Sequence, residues 1–499
     1  MGDTSLHRRQ LPLTIPSFQK TIHVDDGLKV LLAFVSLLLL FLNNGIYLLI
    51  SFIVLLIIFK YFWRPYQPSI FLFCFIFQWF QIFAFILWMN SLGFEINKAF
   101  KMSSVAVLES LLGIVLMVWI VRFAIKKNFQ FSYLKLYEEA RKWDSKKILL
   151  LYLVSTLFLS SIGFVLGQTS GLAQILITLE SLKWVFFIIY GFILWTTNGK
   201  RFLFWVICLF EFSTSFYSYF SDFKLVLFYL ILILLSFTLR INFRQLLLIF
   251  LSFIILVFFF LTWNAIKGEY RNYLSSGERR QSVTVSRGDA YSKISDQLSQ
   301  LTIAKYEKAV NFSLYRVQYI MHLAKVMERI PTYRPHENGN LWLSNIKYIL
   351  TPRIFFPDKE LFDPSVKTNK YTGMKYATGK MGTAFSLSYF AESYVDFGHI
   401  FMFLPLILIA LLLSWIYNIF MSMKKLNLLV RFGLVTAVLF AFMSFESDGI
   451  FLIGRLLVST IVMYLFGRFI FPVIQKWAYL EKWYHYFVWH EWLGEMAEA

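Results

Sequence analysis

Residues 69–89 read SIFLFCFIFQWFQIFAFILWM, an unbroken stretch with no formally charged side chain. A helix needs about 20 apolar residues to cross the hydrocarbon core of a bilayer. This stretch meets that length, and Gln78 and Gln81 are its only amides. Similar stretches recur along the chain, near 28–43, 46–62, 104–124, 147–166, 173–196, 202–220, 224–239, 246–264, 399–420, 428–445 and 450–471. With 69–89 they predict an all-α polytopic membrane protein of about twelve transmembrane helices. The first two form a hairpin broken at Asn43–Asn44–Gly45.

Composition agrees. Of 499 residues, 58% are hydrophobic and 20% aromatic, while charged residues reach only 15%. Soluble chains carry about 45–50% apolar residues and about 25% charged ones. The net charge of +19 suggests nucleic acid at first sight, but the basic residues sit largely in short loops beside apolar runs. That is where membrane topology is written, and such clusters also favour anionic headgroups; nucleic acid is not an expected partner. Cys74 and Cys208 lie far apart inside apolar runs and offer neither a disulfide framework nor a CxxC site. Residues 1–27 are polar and basic and read as a cytoplasmic segment, not a cleavable signal peptide.

With that terminus inside, the inner loops contain Lys60 and Arg64, the stretch 122–147, Gly199–Arg201, Arg240–Arg244, and Lys424–Lys425 with Arg431. The outer loops are Asn43–Gly45, 90–103, Gln168–Gly171, Ser221–Phe223 and Glu446–Gly449, with Lys98 and Lys101 their chief cations. The alternation follows the positive-inside rule.

The chain therefore divides into a cytoplasmic segment 1–27, nine helices over 28–264, a large, partly helical extracytoplasmic loop over 265–398, three more helices over 399–471, and a cytoplasmic interfacial helix over 472–499, rich in Trp and Tyr. Within the large loop, 265–289 is polar and Arg-rich (Arg271, Arg279, Arg280, Arg287). Residues 290–330 show apolar side chains at helical spacing, ended by Pro331 and Pro335. Residues 336–398 read as loop, with several Pro and Gly.

Nucleotide-binding, zincin and paired-CxxC motifs are absent. The large loop instead concentrates Arg271, Arg287, Arg316, Arg353 and Lys359. Arginine's planar fork grips phosphate through two parallel bonds, so such a cluster suits a diphosphate whose lipid tail stays in the bilayer; the alternative is a solvated basic face. Carboxylates in the same region are Glu328, Asp358, Asp363, Glu392 and Asp396, with His322 and His336 as rival bases. Glu392 lies in SLSYFAESYVDFG, residues 386–398, which runs straight into the next apolar stretch. Within or near the spans, Glu109, Glu180, Lys183 and Glu211 suggest function by default, although Glu180 and Lys183 are spaced to neutralise each other.

One further pattern stands out: TPRIFFPDK at Thr351–Lys359, then Asn369, then Tyr371–Thr372–Gly373, then Glu392-x-Tyr394 and Phe397–Gly398. This order resembles the Wzy-type oligosaccharide repeat-unit (O-antigen) polymerases, whose members look like proteins of 10–14 helices with a large late outer loop. The family's PxKP-like stretch is matched imperfectly, because Glu360 follows Lys359. The resemblance implies a glycosyltransferase in a bacterial cytoplasmic (inner) membrane that joins undecaprenyl-diphosphate-linked repeat units, without metal, nucleotide sugar or other cofactor. It implies that Arg271, Arg287, Arg316, Arg353 and Lys359 hold the donor diphosphate and that Glu392 is the catalytic base. It also implies a chain-length regulator and a flippase as partners. A ligase for finished glycan, or a lipid-linked oligosaccharide flippase, are the competing readings.

Overall fold

The computed structural model describes residues 23–126, 132–166, 173–215, 223–238, 240–277, 284–353, 355–378 and 384–480. Of the terminal segments expected at 1–27 and 472–499, residues 1–22 and 481–499 lie outside them, as do Arg279, Arg280, Gly379 and Gly382. The described residues are helical apart from turns and one short parallel pairing of His23–Val24 with Arg240–Ile241.

Among the described residues, six helices are long and apolar enough to cross a membrane: Gly45–Phe62, Ile70–Ser91, Ser103–Ala124, Gln174–Thr196, Phe403–Met421 and Gly449–Ala478. Shorter apolar helices occupy Lys29–Leu39, Phe202–Thr214, Lys224–Ser236 and Leu428–Phe442. Helices at Ser145–Leu166 and Phe243–Leu274 fill the remaining two expected stretches.

Tertiary contacts explain where the boundaries depart from expectation. The first hairpin breaks at Asn44, whose backbone is left-handed (φ 57°). Its amide donates to Asn90 Oδ1 (2.7 Å) and the Phe94 carbonyl (2.9 Å), while its oxygen accepts from the Ile96 N–H (2.7 Å). The expected single helix over 290–330 is three: Arg287–Ser299, Ile303–Val317 and Ile320–Arg329. The stretch 336–398, expected as loop, holds three more, Asn340–Ile349, Pro364–Thr372 and Tyr389–Phe401. Asp396 creates the first of these from a distance, accepting from the N–H groups of Leu341 (3.0 Å) and Trp342 (2.7 Å). Asp363 caps the second, with Pro364 at its first position. A kink at Gly398 (φ 67°) breaks Tyr389–Phe401 near its end, just before Phe403–Met421.

Among the described residues, loop contacts gather in two groups at opposite ends of the bundle. At one end the Asn418 amide donates to the Ala124 carbonyl (2.9 Å) and Asn427 to that of Glu139 (3.1 Å). There too Tyr133 donates to the Thr196 carbonyl (2.9 Å), and the Asp144 N–H to that of Ala478 (2.9 Å). At the other end the Lys101 N–H donates to Glu328 (2.7 Å) and the Tyr389 N–H to the Ser447 carbonyl (2.8 Å).

Between them lies an aromatic-rich core. Gly113 lets Phe390 approach so closely that an added Cβ would lie 2.5 Å from its ring, the close approach that small residues permit between membrane helices. Buried Gln78 is satisfied from both sides: its amide donates to the Phe442 carbonyl (2.6 Å) and its oxygen accepts from the Tyr389 hydroxyl (2.6 Å). An unmet amide there would cost about 1–3 kcal/mol.

Candidate functional site: cations facing Glu446

The long helix Phe243–Leu274 continues past the expected apolar stretch and carries Lys267 and Arg271 one turn apart. It packs along Ile303–Val317: the Asn264 amide donates to Ser313 Oγ (2.9 Å), Thr262 and Tyr306 share a hydrogen bond (2.9 Å), and Phe258 stacks on Tyr306. This docking brings Arg316, in the last turn of its helix, toward Lys267 and Arg271. Lys224, at the start of Phe223–Ser236, completes the group. Burial first, and then the charges of Arg271, Arg316 and Lys224, push the Lys267 ammonium down to about 7.

Two of these cations, Arg316 and Lys224, face the carboxylate of Glu446. The Gln81 amide donates to its Oε2 (3.3 Å), and Arg316 and Lys224 are within Coulombic reach. Burial nevertheless holds its carboxyl above the usual carboxylate range. Tyr319 lies within electrostatic range of both Glu446 and Asp448, so the cationic group adjoins a second, buried set of charges.

That second set is Lys367, Glu392 and Asp448. Glu392 is fully buried: Lys367 donates to its Oε1, and Asn345 (3.0 Å) and the Gly449 N–H (2.8 Å) donate to Oε2. Asp448 lies 3.4 Å from Lys367 and accepts from the Leu387 N–H (2.7 Å). Burial works against the Lys367 ammonium, but Glu392 and Asp448 outweigh it and raise its proton affinity. Burial raises that of Asp448, despite Lys367.

Of the side chains expected to grip diphosphate, Arg271 and Arg316 come together, while Arg353 and Lys359 form a separate pair. Lys359 sits over the Tyr348 ring and donates to the Tyr348 and Thr351 carbonyls, closing the end of Asn340–Ile349. Arg353 donates to the Glu360 carbonyl (3.0 Å), and its charge adds to burial in lowering the proton affinity of Lys359. Arg287 is exposed at the start of Arg287–Ser299, a helix that packs on the one bearing Arg271.

The remaining candidates have local duties. His322 is buried, bonds Tyr376 (3.0 Å) and is pushed by burial down to about 4. His336 Nδ1 faces the carbonyls of Tyr394 and Val395. Glu328 anchors Lys101 and Lys325, and Glu109 pairs with His399 (2.7 Å). Lys183 forms its close ion pair with Glu211 (3.0 Å) and stays within Coulombic reach of Glu180.

Sequence reasoning passed over Lys224, Lys267, Lys367, Glu446 and Asp448. The available signals were the spacing of Lys267 and Arg271, and two carboxylates packed into ESDG, residues 446–449, between apolar runs. No curated protein matches the chain, and no solved structure does. Residues 56–476, which contain both sets of charges, match a family described as a domain of unknown function, DUF8712.

Proposed function

We propose that this chain, which belongs to the DUF8712 family, is a membrane glycosyltransferase that polymerises lipid-diphosphate-linked oligosaccharide repeat units into a surface polysaccharide. On this reading it crosses a bacterial inner membrane twelve times, both termini are cytoplasmic, and residues 265–398 fold on the outer face. Undecaprenyl-diphosphate-linked glycans are the substrates. A flippase that supplies them and a regulator of chain length are the partners.

The observation that carries the proposal is the grouping of Lys267 with Lys224, Arg271 and Arg316, two of which, Arg316 and Lys224, also face the carboxylate of Glu446. Four cations held together by helix packing repel one another. A diphosphate relieves that repulsion and gains charge-assisted bonds.

In the proposed step a hydroxyl of the acceptor's terminal sugar attacks the anomeric carbon of the donor. A new carbon–oxygen bond forms, the bond from that carbon to the diphosphate breaks, and the electron pair leaves with lipid diphosphate. The cations match the charge that develops there. Glu446 takes the hydroxyl proton, because it is half-buried, has a raised proton affinity and faces the cations. Glu392, enclosed by Lys367, Asn345 and Gly449, acts as a positioning residue.

The test is complementation of a deletion strain, read as surface-glycan length on a gel. Arg271→Gln combined with Arg316→Gln, at normal protein level, is expected to leave single repeats and remove long chains. Long chains from that double variant would sink the proposal. Loss of every surface glycan in the deletion strain would indicate a flippase instead.

A further inference from the structure

We propose that the end of the bundle opposite Glu446 carries a separate phosphate-binding pocket, formed by Arg64, Arg122 and Lys126. A small cleft of about 70 Å3, open to solvent, lies between the helices Gly45–Phe62, Ile70–Ser91, Ser103–Ala124 and Phe403–Met421. Its described lining residues include these three cations and Gln67, and none of them is a carboxylate.

Packing imposes the closeness of the cations. The Tyr66 N–H donates to the Ser236 carbonyl (2.7 Å), which fixes the turn that bears Arg64. Asn418 clamps the end of Ser103–Ala124, donating to the Ala124 carbonyl (2.9 Å) and accepting from the Lys126 N–H (3.1 Å). Burial and the neighbouring Arg122 both work against the charge of Arg64. An anion beside the two guanidinium groups reverses the second effect and gains charge-assisted bonds from them.

Two further features select phosphate on a hydrophobic carrier or a small organic phosphate. The helix Ile70–Ser91 begins at the cleft, where Pro68 and Phe71 line it, so the positive end of its dipole is added to the cations. Phe71 and Tyr417, with ring centroids 5.5 Å apart, make an apolar floor beside the cations. The cleft also opens at the end where the basic loops gather, the level at which anionic headgroups lie on the proposed topology. The phosphate can therefore come from a lipid headgroup or from a free phosphate, and the chemistry of recognition is the same.

The test uses the full chain in phosphatidylcholine nanodiscs doped with phosphatidylglycerol, reading retained lipid by native mass spectrometry, with calorimetric titration of inorganic phosphate alongside. Either selective retention of phosphatidylglycerol or saturable binding of phosphate supports the site, and the pattern tells the sources apart. Arg64→Gln and Lys126→Gln are expected to weaken that binding roughly tenfold each, the loss of one charge-assisted hydrogen bond. Arg64→Lys is expected to restore part of it. Unchanged melting temperatures establish that the variants fold. Binding that is the same in wild type and both neutral variants, or absent for both probes, overturns the proposal.

Discussion

Gln81, in the middle of a charge-free helix of membrane length, places its amide nitrogen 3.3 Å from Oε2 of Glu446. Its oxygen takes the neighbouring Phe445 N–H at 2.8 Å. One buried amide thus sets the position of the carboxylate that faces the cations. Replacing Gln81 by Leu leaves Glu446 charged but unaimed, whereas Glu446→Gln removes the proposed base. The second variant is expected to lower kcat by about 10²–10⁴, the usual contribution of a general base, with donor KM nearly unchanged. The first is expected to lower kcat less. Single-turnover assays on purified protein separate these effects; wild-type kcat in Glu446→Gln excludes it as the base.

Lys267 links donor affinity to pH. Its ammonium is pushed down to about 7, so the empty site loses this charge as pH rises above that value. Donor KM should therefore increase above about pH 7. Lys267→Arg, which stays protonated, is expected to flatten that profile. A wild-type KM that does not change between pH 6 and 9 would count against a phosphate role for Lys267.

Arg316 and Arg353 should separate cleanly. Arg316 belongs to the cationic group, while Arg353 bonds the Glu360 carbonyl within its own turn. Arg316→Ala is expected to raise donor KM by about tenfold or more, as for loss of a hydrogen bond to a charged group. Arg353→Ala is expected to leave it within a few-fold. Steady-state kinetics with a lipid-diphosphate oligosaccharide decides, and equal effects at both positions would merge the two basic groups into one site.

Breaking the buried pair should cost stability, not donor affinity. Lys367→Met strands Glu392 and Asp448 without their cation, and loss of one partner from a buried pair costs about 3–5 kcal/mol. A lowered melting temperature in detergent, with KM of the surviving fraction unchanged, is the expected result.

His322 and Asp448 make opposing contributions to stability as pH changes. His322 is pushed from 6.5 to about 4 in the folded chain. The unfolded chain binds its proton more tightly, so this contribution is lost as pH falls from about 6.5 toward 4. Asp448 is raised above 3.8, so its contribution is lost as pH rises from that value. His322→Gln should remove the first and leave a melting temperature that declines with rising pH across this interval. An unchanged Tm profile would exclude neutral burial of His322.

The apolar stretches were legible because a bilayer imposes a length and a polarity that no tertiary contact can hide. The break at Asn44 was legible because Asn43–Asn44–Gly45 is local turn chemistry. The helices of 336–398 were not, since Asn340–Ile349 is capped by Asp396, more than fifty positions further on. Sequence spacing also misled at Lys183. Glu180 is its neighbour along the helix, but Glu211 arrives from another helix already bound by the Tyr152 hydroxyl. In the candidate site, Arg271 and Arg316 were visible as residue types. Their separation from Arg353 and Lys359 is decided by which helices pack, and the burial of Glu392 depends on Lys367 and on the Gly449 N–H from beyond the following helix.

The positive φ at Gly398 has a consequence for depth. A straight rod from Tyr389 to Met421 would measure about 50 Å, far more than the roughly 30 Å of oil it has to traverse. Bent at Gly398, the chain submerges only Phe403–Met421, about 28 Å long. The glycine thus marks the waterline, and Glu392 rides less than two turns above it. On the proposed function, a substrate tethered by its tail would need to surface only that far, so the draught of the protein and the reach of its anchored cargo would be set by the same residue.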